Sequence, residues 1–430
     1  MSVKISVIIP AFNVEAYIEK CFESLLNQSM QAFEVICVDD ASGDGTFKVA
    51  QKYEKEHQNI QLLKNDVNKG AGLTRNIGLR KAKGEYVIFL DADDTYHPQL
   101  LEKMYSAATV AAADVAICKA DYKDDQGNII CYESGWNTNL IQKKCVSQTD
   151  DRQHLLQAVL LAPWNKLVRR QFLLENDIWF QDLPNTNDVY YSIMLEACAK
   201  KIVFIDEALI LYQYERAGSL TEGRLQRRSY ITWAFEEVII QLRKRNMWHG
   251  DIRKSAINLI LDTCYGYVAD VTDIFSKQCL ADYRERIMPL LSEEEVRQDA
   301  FTKWEYYEYE YLNGKCRFCE NTYQLFAKEL ASFLETQLSE GIALWGAGKL
   351  GRKFLEAVAN TGIYIQYIVD NNPDKQGKSL CGVEICSYED VKDKIGKYLV
   401  LNERYIEEIK QQVGQAGKVI NMKGIMEEFL

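Results

Sequence analysis

The sequence predicts an α/β protein of several domains, and three observations support this class. Short apolar runs alternate with helical spacing over the first 120 residues, as in a doubly wound, mainly parallel sheet. Helical periodicity dominates from about residue 229, and a new strand, glycine turn and helix begin at Gly341. Because 430 residues exceed what one hydrophobic core normally holds, we predict domains at 1–225, 226–338 (helical) and 339–430.

The elements of the first region follow from its apolar spacing. Strands are expected at 4–9, 33–38, 60–63 and 85–90, and helices at 14–26, 46–56 and 73–82. Further helices are expected at 230–244 and 252–274. Ligands of doubly wound sheets bind at the carboxyl ends of the strands, so the residues after each strand are the first candidates for a site.

Charge and composition exclude some functions. A net charge of -11 argues against a nucleic-acid partner, because phosphate contacts require a basic face. No apolar run reaches the ~20 residues of a membrane helix, and twelve scattered cysteines are typical of reduced thiols. We therefore expect a cytoplasmic protein, held peripherally at the inner face of the membrane if its acceptor is a lipid. A homo-oligomer is compatible with the sequence.

Three carboxylates follow the strand expected at 85–90, namely Asp91, Asp93 and Asp94. Clustered carboxylates repel one another unless a cation compensates, and Mg²⁺ or Mn²⁺ prefers such oxygen ligands. The alternative is that acidic residues simply favour a helix N-terminus, with Asp94 serving a helix that begins near Pro98. The pattern predicts a metal-assisted diphosphate site.

A second acidic pair, Asp39 and Asp40, follows the strand expected at 33–38. One of these carboxylates is suited to accept a hydrogen bond from a base N–H or a ribose hydroxyl. The alternative is a tight turn in which Asp44 caps the next helix. Lys69 and Arg75 supply cationic groups shortly before the acidic strand end.

The C-terminal region contains a strand followed by a GxGxxG pattern at Gly346, Gly348 and Gly351, with Asp370 about twenty residues later. In a Rossmann unit such glycines admit a pyrophosphate at a helix N-terminus, and the acidic residue holds a ribose. We expect a small Rossmann-like domain. Its turn either binds a nucleotide or has a structural role.

Several ordered motifs together resemble one family. They are 6–13 (SVIIPAFN), 38–42 (VDDAS), 68–78 (NKGAGLTRNIG) and 84–94 (GEYVIFLDADD), and the similarity continues at 163–170 (PWNKLVRR), 187–191 (NDVYY) and 212–221 (YQYERAGSLT). This order resembles the family 2 inverting glycosyltransferases of GT-A fold, of the bacterial polysaccharide-synthesis type. The departure is Asn187, where the family usually has Glu.

The resemblance implies a role for each matching residue. Pro10, Ala11 and Asn13 would line the nucleotide pocket, Asp39 or Asp40 would bind the base, and Lys69 and Arg75 would support the nucleotide. Asp91, Ala92 and Asp93 would form the DxD motif, with Asp93 and Asp91 as metal ligands. Asp188 would be the catalytic base, and Arg216 and Ser219 would reach the diphosphate.

The implied activity is that of an inverting, metal-dependent hexosyltransferase. It would move a sugar from a nucleoside-diphosphate donor, most commonly a UDP-sugar, to a hydroxyl of a glycan or glycolipid in capsule, exopolysaccharide or lipopolysaccharide synthesis. Two alternatives stay open: an NAD-binding oxidoreductase or epimerase centred on the C-terminal glycines, and a non-catalytic protein that binds sugar nucleotides.

Overall fold

A computed structural model describes the chain in two compact units, residues 1–301 and 302–430. The described residues are 2–123, 129–134, 136–137, 139–213, 230–268, 274–301, 303–315, 334, 341–359, 361–401, 406–414 and 418–421. Contacts between residues divide the chain at one place, between residues 301 and 302. The boundaries expected near residues 225 and 338 therefore stay predictions.

One ten-stranded sheet forms the centre of the first unit. Its strands are β1 (Ile5–Ala11), β2 (Phe33–Asp39), β3 (Ile60–Lys64), β4 (Tyr86–Phe89), β5 (Thr95–Tyr96), β6 (Val115–Lys123), β7 (Ile129–Ser134), β8 (Cys145–Ser147), β9 (Lys166–Arg169) and β10 (Lys201–Gln213). The main order is β3-β2-β1-β4-β9-β6-β10-β5, with β7 paired to β6 and β8 to β10.

The sheet is mixed, and its two halves differ. Strands β3, β2, β1 and β4 are parallel, as the alternating pattern predicts. Strand β9 then lies antiparallel between β4 and β6, and β6 and β10 are again parallel, so β9 interrupts the predicted mainly parallel sheet. The parallel half places the carboxyl ends of β1, β2 and β4 side by side.

Helices cover both faces of this sheet and continue beyond it. They are α1 (Ile18–Leu26), α2 (Thr46–Glu56), α3 (Gly70–Lys81), α4 (Leu100–Ala111), α5 (Leu155–Ala158), α6 (Arg170–Glu175), α7 (Asn187–Cys198), α8 (Tyr230–Lys244), α9 (Gly250–Tyr267), α10 (Ile274–Arg286), a 3₁₀ turn (Met288–Leu290) and α11 (Glu293–Asp299). The apolar face of α1 (Ile18, Cys21, Phe22, Leu25) packs into the core formed with β1, β2 and β4.

Some helix boundaries differ from the prediction. Helix α1 begins four residues later than expected, because Asn13 has a positive φ of 52° and the Tyr17 amide closes a turn on the Val14 carbonyl at 2.9 Å. Helix α2 begins and ends where its spacing predicts. The helix expected over 252–274 is α9, and its last described helical residue is Tyr267.

The second unit contains helix α12 (Lys303–Leu312) and a smaller sheet. Its other elements are β11 (Ile342–Trp345), α13 (Lys349–Val358), β12 (Tyr367–Val369), β13 (Ser379–Leu380), β14 (Val383–Cys386), α14 (Tyr388–Val391), β15 (Lys397–Val400), α15 (Ile406–Val413) and β16 (Val419–Asn421). The sheet order is β13-β14-β12-β11-β15-β16, parallel except for the β13–β14 pair. None of the helices in the described parts of either unit has both the length and the apolar character of a membrane span.

Candidate active site

The carboxyl edge of the parallel half carries the first acidic residue. Asp39 ends β2 and lies between Ala11 of β1 and Lys64 of β3. Its side chain is fully buried. One oxygen, Oδ2, accepts from the Ser42 amide at 3.3 Å, whereas Oδ1 has no hydrogen-bond partner among the described residues. A buried carboxylate oxygen without a donor is costly, so this strand end is suited to a ligand N–H or O–H.

The neighbouring carboxylate, Asp40, serves the protein's own backbone. It accepts from the Lys69 amide and the Gly70 amide at 2.8 Å each and from the Asn65 side chain at 2.8 Å. These bonds satisfy the start of α3, where backbone N–H groups lack helical partners. Of the two predicted base-binding residues, only Asp39 therefore has a carboxylate oxygen that accepts no described hydrogen bond.

Arg75 connects two segments that are distant in sequence. Its guanidinium donates from Nη2 to Asp91 Oδ1 at 2.7 Å and from Nη1 to Asn187 Oδ1 at 3.3 Å. The Phe180 ring lies beside it, 5.3 Å from guanidinium carbon to ring centroid. Arg75 is 7% exposed, so this contact is nearly dry and its geometry is held firmly. The departure at Asn187 thus keeps an oxygen that accepts from Arg75 but removes a negative charge.

The aspartates after β4 have three different environments. Asp91 is paired with Arg75, and its carbonyl accepts from the Tyr96 hydroxyl at 2.6 Å. Asp93 is half-buried in the turn that follows. Asp94 is buried and accepts from the Gln213 amide of β10 at 2.9 Å. Helix α4 begins later, at Leu100 after the N-cap Gln99, and has no side-chain cap, so Asp94 does not cap it.

A divalent metal fits this edge only with few protein ligands. Within the described ranges, no group of three or more His, Cys, Asp or Glu side chains is placed to hold an ion. Mg²⁺ at phosphate sites usually takes one or two carboxylates and completes its shell with phosphate oxygens and water. Two carboxylates at this edge, Asp91 and Asp93, are partly accessible, and Asp91 Oδ1 already accepts from Arg75.

Asp188 lies in the first turn of α7, directly after Asn187, and is half-buried. Residues 188, 192 and 196 are spaced by four, so they share one face of the helix. At the far end of that face the fully buried Glu196 lies 3.6 Å from Lys166 Nζ of β9, which is also fully buried. The Lys166 ammonium donates to the Ala162 carbonyl at 2.7 Å and to the Leu160 carbonyl.

Burial shifts both charges of this internal pair. It raises the pKa of the Glu196 carboxyl to about 7, against the opposing effect of Lys166. It also lowers the pKa of the Lys166 amine, although Glu196 and Asp188 both act to raise it. The pair connects β9 to α7, the helix whose first turn contains Asp188.

The other predicted residues occupy the rim of the same edge. Ala11 and Ala92 are buried, Pro10 is half-buried and Lys69 is exposed. Asn13 is exposed, and its Oδ1 accepts from the Gly43 amide at 2.9 Å. Asp44 accepts from the Thr46 amide at 3.0 Å, but it precedes the N-cap residue Gly45, and α2 has no side-chain cap. Arg216 and Ser219 lie outside the described residues.

The possible second nucleotide site lies in the other unit. Gly346 has a positive φ of 107°, and a Cβ on Gly351 would lie 2.3 Å from the Gly346 carbonyl oxygen, so both glycines are needed for the turn. Asp370 accepts from the Ala347 amide at 2.8 Å and from Lys375 Nζ at 3.0 Å. Burial opposes ionisation, but these bonds and that of the Asn372 amide keep the pKa of Asp370 below its usual value. The acidic residue therefore already braces the glycine turn.

Sequence reasoning missed several contributors to the site. Phe180 and Glu196 belong to none of the motifs, and the motif 163–170 does not reveal the partner of Lys166, because these partners lie far along the chain. A lysine in the strand-like run 166–169 is the one usable signal, since a lysine in a buried strand requires an internal partner. Asn65 carries no comparable signal, and only its bond to Asp40 shows its role.

Comparison with known proteins places these features in context. Residues 6–175 match the profile of Glycosyl transferase family 2, and residues 338–426 match that of C2185-like, N-terminal. The glycosyltransferase GlyG of Streptococcus pneumoniae serotype 4 is 28% identical over 57% of this chain and 80% of its own. The poly(ribitol-phosphate) beta-glucosyltransferase of Bacillus spizizenii is 30% identical over 50% of this chain but only 33% of its own length.

Solved structures show the same fold. TarS of S. aureus, residues 1–349 in complex with UDP, superposes with a TM-score of 0.57 over 73% of this chain and 87% of its own, at 21% identity. The same TarS fragment in complex with UDP-GlcNAc gives a TM-score of 0.57 at 20% identity. The GT-A-type architecture expected for the first unit is thereby confirmed.

Proposed function

We propose, from the premise that residues 6–175 form a glycosyl transferase family 2 domain, that this chain transfers a sugar from a nucleoside-diphosphate donor to a hydroxyl of a glycan or glycolipid. The transfer inverts the anomeric configuration and belongs to cell-surface polysaccharide synthesis. Nine cysteines among the described residues are free thiols, which supports a reducing, cytoplasmic compartment.

The observation that carries the proposal is the lack of a described hydrogen-bond donor for Oδ1 of Asp39. A fully buried carboxylate at the end of β2, with Oδ1 lacking a donor among the described residues, is suited to the N–H of a nucleobase. Uracil offers one such N–H, and UDP is the donor nucleotide that we propose. Asp40 keeps its structural task at the start of α3.

The diphosphate would lie along the edge from Asp39 toward Asp91. Asp91 and Asp93 are the residues that would hold Mg²⁺ or Mn²⁺, which when bound neutralises the charge of the diphosphate leaving group. Arg75 orients the Asp91 carboxylate through its 2.7 Å bond. Because Arg75 also binds Asn187, the metal-binding strand end and the start of α7 are held in one geometry.

Asp188 is the proposed general base. A hydroxyl is a poor nucleophile until a positioned carboxylate accepts its proton, and the half-buried Asp188 stands at the helix end that faces the strand edge through Arg75 and Asn187. The acceptor oxygen forms a bond to the anomeric carbon as the bond to the diphosphate breaks. Its proton passes to Asp188, and one displacement gives inversion.

Thermal shift with UDP, GDP, dTDP and NAD, each with Mn²⁺ and with EDTA, tests the donor site first. We expect UDP with metal to raise the unfolding midpoint, because it binds only the folded state. Asp39→Asn and Asp93→Ala should abolish that shift. Asp188→Asn should keep the UDP shift but lose sugar transfer, measured as UDP release.

Asp393→Asn, at an exposed position of the second unit, serves as a charge-matched control for donor binding, and it should behave as wild type in the UDP shift. A shift with NAD alone, independent of metal, would contradict the proposal. Equal UDP shifts in wild type and Asp39→Asn would show that the base is bound elsewhere.

A further inference from the structure

A cavity of about 470 Å³ lies between the segment 177–183 and helix α8. Two tryptophans, Trp179 and Trp233, line it together with the carboxylates of Asp182, Glu236 and Glu237. No lysine or arginine occurs among the described lining residues. The lining therefore combines the flat apolar faces of indole rings with negatively charged carboxylates that accept hydrogen bonds.

An arginine lies against each of the two tryptophan rings. The Arg286 guanidinium lies 4.3 Å from the Trp233 ring centroid, and the Arg80 guanidinium lies 5.0 Å from that of Trp179. Arg286 also pairs with Glu236. Trp233 is nevertheless 46% exposed, so this aromatic surface is braced and open at the same time. Braced aromatic side chains bind ligands with little loss of conformational entropy.

One wall of this cavity is shared with the candidate active site. Phe180 lines the cavity and also lies beside the Arg75 guanidinium. A Cβ added to Gly72 would lie 2.6 Å from the Gln181 carbonyl oxygen and 2.9 Å from the Asn187 Cβ, so Gln181 and Asn187 flank the same glycine. The segment that forms the cavity wall thus leads directly to Asn187 and Asp188.

We propose that this cavity is a subsite for an uncharged glycan acceptor, an inference that rests on the proposed function. Indole rings stack on the apolar face of a pyranose, and carboxylates accept hydrogen bonds from its hydroxyls. An anionic polymer is disfavoured, because its phosphates would meet four lining carboxylates, of which only Glu236 has a described ion pair, with Arg286. Poly(ribitol phosphate), which the name of the Bacillus spizizenii relative contains, is therefore not the acceptor expected here.

Titration of the full-length protein, saturated with UDP and Mn²⁺, tests this subsite by tryptophan fluorescence. The probes are maltotetraose, cellotetraose, laminaritetraose and chitotetraose, with poly(ribitol phosphate) as the charged comparison. We expect saturable quenching by at least one uncharged tetrasaccharide and none by the polyphosphate. Trp179→Ala and Trp233→Ala should each weaken that binding by about five- to tenfold. Binding to a variant that has lost the fluorescence signal is measured by calorimetry.

Tyr364→Ala is the matched control, an aromatic residue that is 75% exposed and lies in the other unit. It should bind the tetrasaccharide as wild type does. If UDP raises the unfolding midpoint but no tetrasaccharide binds, or if the tryptophan variants bind it unchanged, the subsite is refuted while the donor proposal stands. Tighter binding of poly(ribitol phosphate) than of any tetrasaccharide would also refute it. A missing UDP shift would overturn both proposals.

Discussion

At the scale of single residues, Arg75 contributes most to the geometry of the site. One planar guanidinium reaches Asp91 after β4 and Asn187 at the start of α7, two positions that lie 16 and 112 residues away along the chain. A lysine has the same charge but a single ammonium on a flexible stem, so it cannot reproduce this two-sided contact.

For Arg75→Lys we therefore predict a fall in kcat/KM of about 100-fold, because small misplacements of reacting groups are expensive. The loss should appear in steady-state sugar transfer, with the UDP thermal shift reduced but present. Arg297→Lys, at an exposed i,i+4 pair with Glu293, is the control and should leave both measurements unchanged. Wild-type kinetics in Arg75→Lys would mean that the bridge has no role in positioning.

The sequence identifies Asp39, Asp91 and Arg75 as site residues because each follows a strand or begins a helix within a short, readable pattern. It does not separate Asp39 from Asp40, since that distinction depends on which carboxylate the Lys69 and Gly70 amides reach. Phe180 stays hidden for the same reason, because its contact with Arg75 exists only in three dimensions.

At the scale of elements, the packing of α3 against α7 depends on a glycine. Gly72→Ala would place a methyl group 2.6 Å from the Gln181 carbonyl oxygen and 2.9 Å from the Asn187 Cβ, and neither atom is a flexible side-chain end. We predict that this substitution lowers the free energy of unfolding by about 1–3 kcal/mol and displaces Asp188.

Urea denaturation measures the stability change, and sugar transfer measures the displacement. Gly266→Ala is the matched control, since it lies in α9 with open space around a Cβ. It should raise stability by about 0.5–1 kcal/mol, as alanine does within a helix. If the two variants shifted stability equally, close approach at Gly72 would not be the cause.

The contact between α7 and β9 predicts a dependence of stability on pH. Burial raises the pKa of Glu196 from the ordinary 4.5 to about 7, so the folded state binds its proton more tightly than the unfolded state does. The resulting stabilisation is complete below pH 4.5 and is lost as the pH rises through 7, by up to about 3 kcal/mol.

Glu196→Gln cannot lose that proton. Its stability relative to wild type should therefore increase between pH 5 and pH 7.5, measured by urea denaturation at each pH. Glu294→Gln, at an exposed position of α11, controls for the general effect of removing a carboxyl group. A difference between Glu196→Gln and wild type that does not vary with pH would contradict the shifted pKa.

Apolar periodicity predicts the elements of the parallel half well, and α2 matches its expected bounds. It does not predict the other half of the sheet. Strand β9 is only four residues long, and β10 pairs with β6 through two register shifts, so their pairing depends on tertiary contacts that no local pattern encodes.

At the scale of the whole molecule, each unit has a core of its own. Phe354, Leu344 and Ile368 belong to the core of the second unit, whereas the described residues of the candidate donor site, such as Asp39 and Asp91, lie in the first. We predict that Phe354→Ala costs about 3–5 kcal/mol in the second unit without changing the UDP thermal shift.

In scanning calorimetry, the midpoint of the transition of the second unit should fall, and the midpoint of the transition of the first unit should stay unchanged. Leu350→Ala, on the exposed side of the same helix α13, is the control and should lower neither transition midpoint. Loss of the UDP shift in Phe354→Ala would show that the two units unfold together. The glycine turn predicts a small domain in the C-terminal region. The spacing of Asp370 from that turn is compatible with ribose binding and also with the hydrogen bond that Asp370 accepts from the Ala347 amide, so the sequence alone does not separate the two roles.

The complete burial of Lys166 has a practical consequence for labelling chemistry. An amine-reactive ester modifies exposed lysines but cannot reach an ammonium enclosed by α7 and by the carbonyls of Leu160 and Ala162. Modification of Lys166 therefore requires this enclosure to open. The slow appearance of its mass adduct would time the spontaneous opening of the contact that supports Asp188, and a bound donor should lengthen that time.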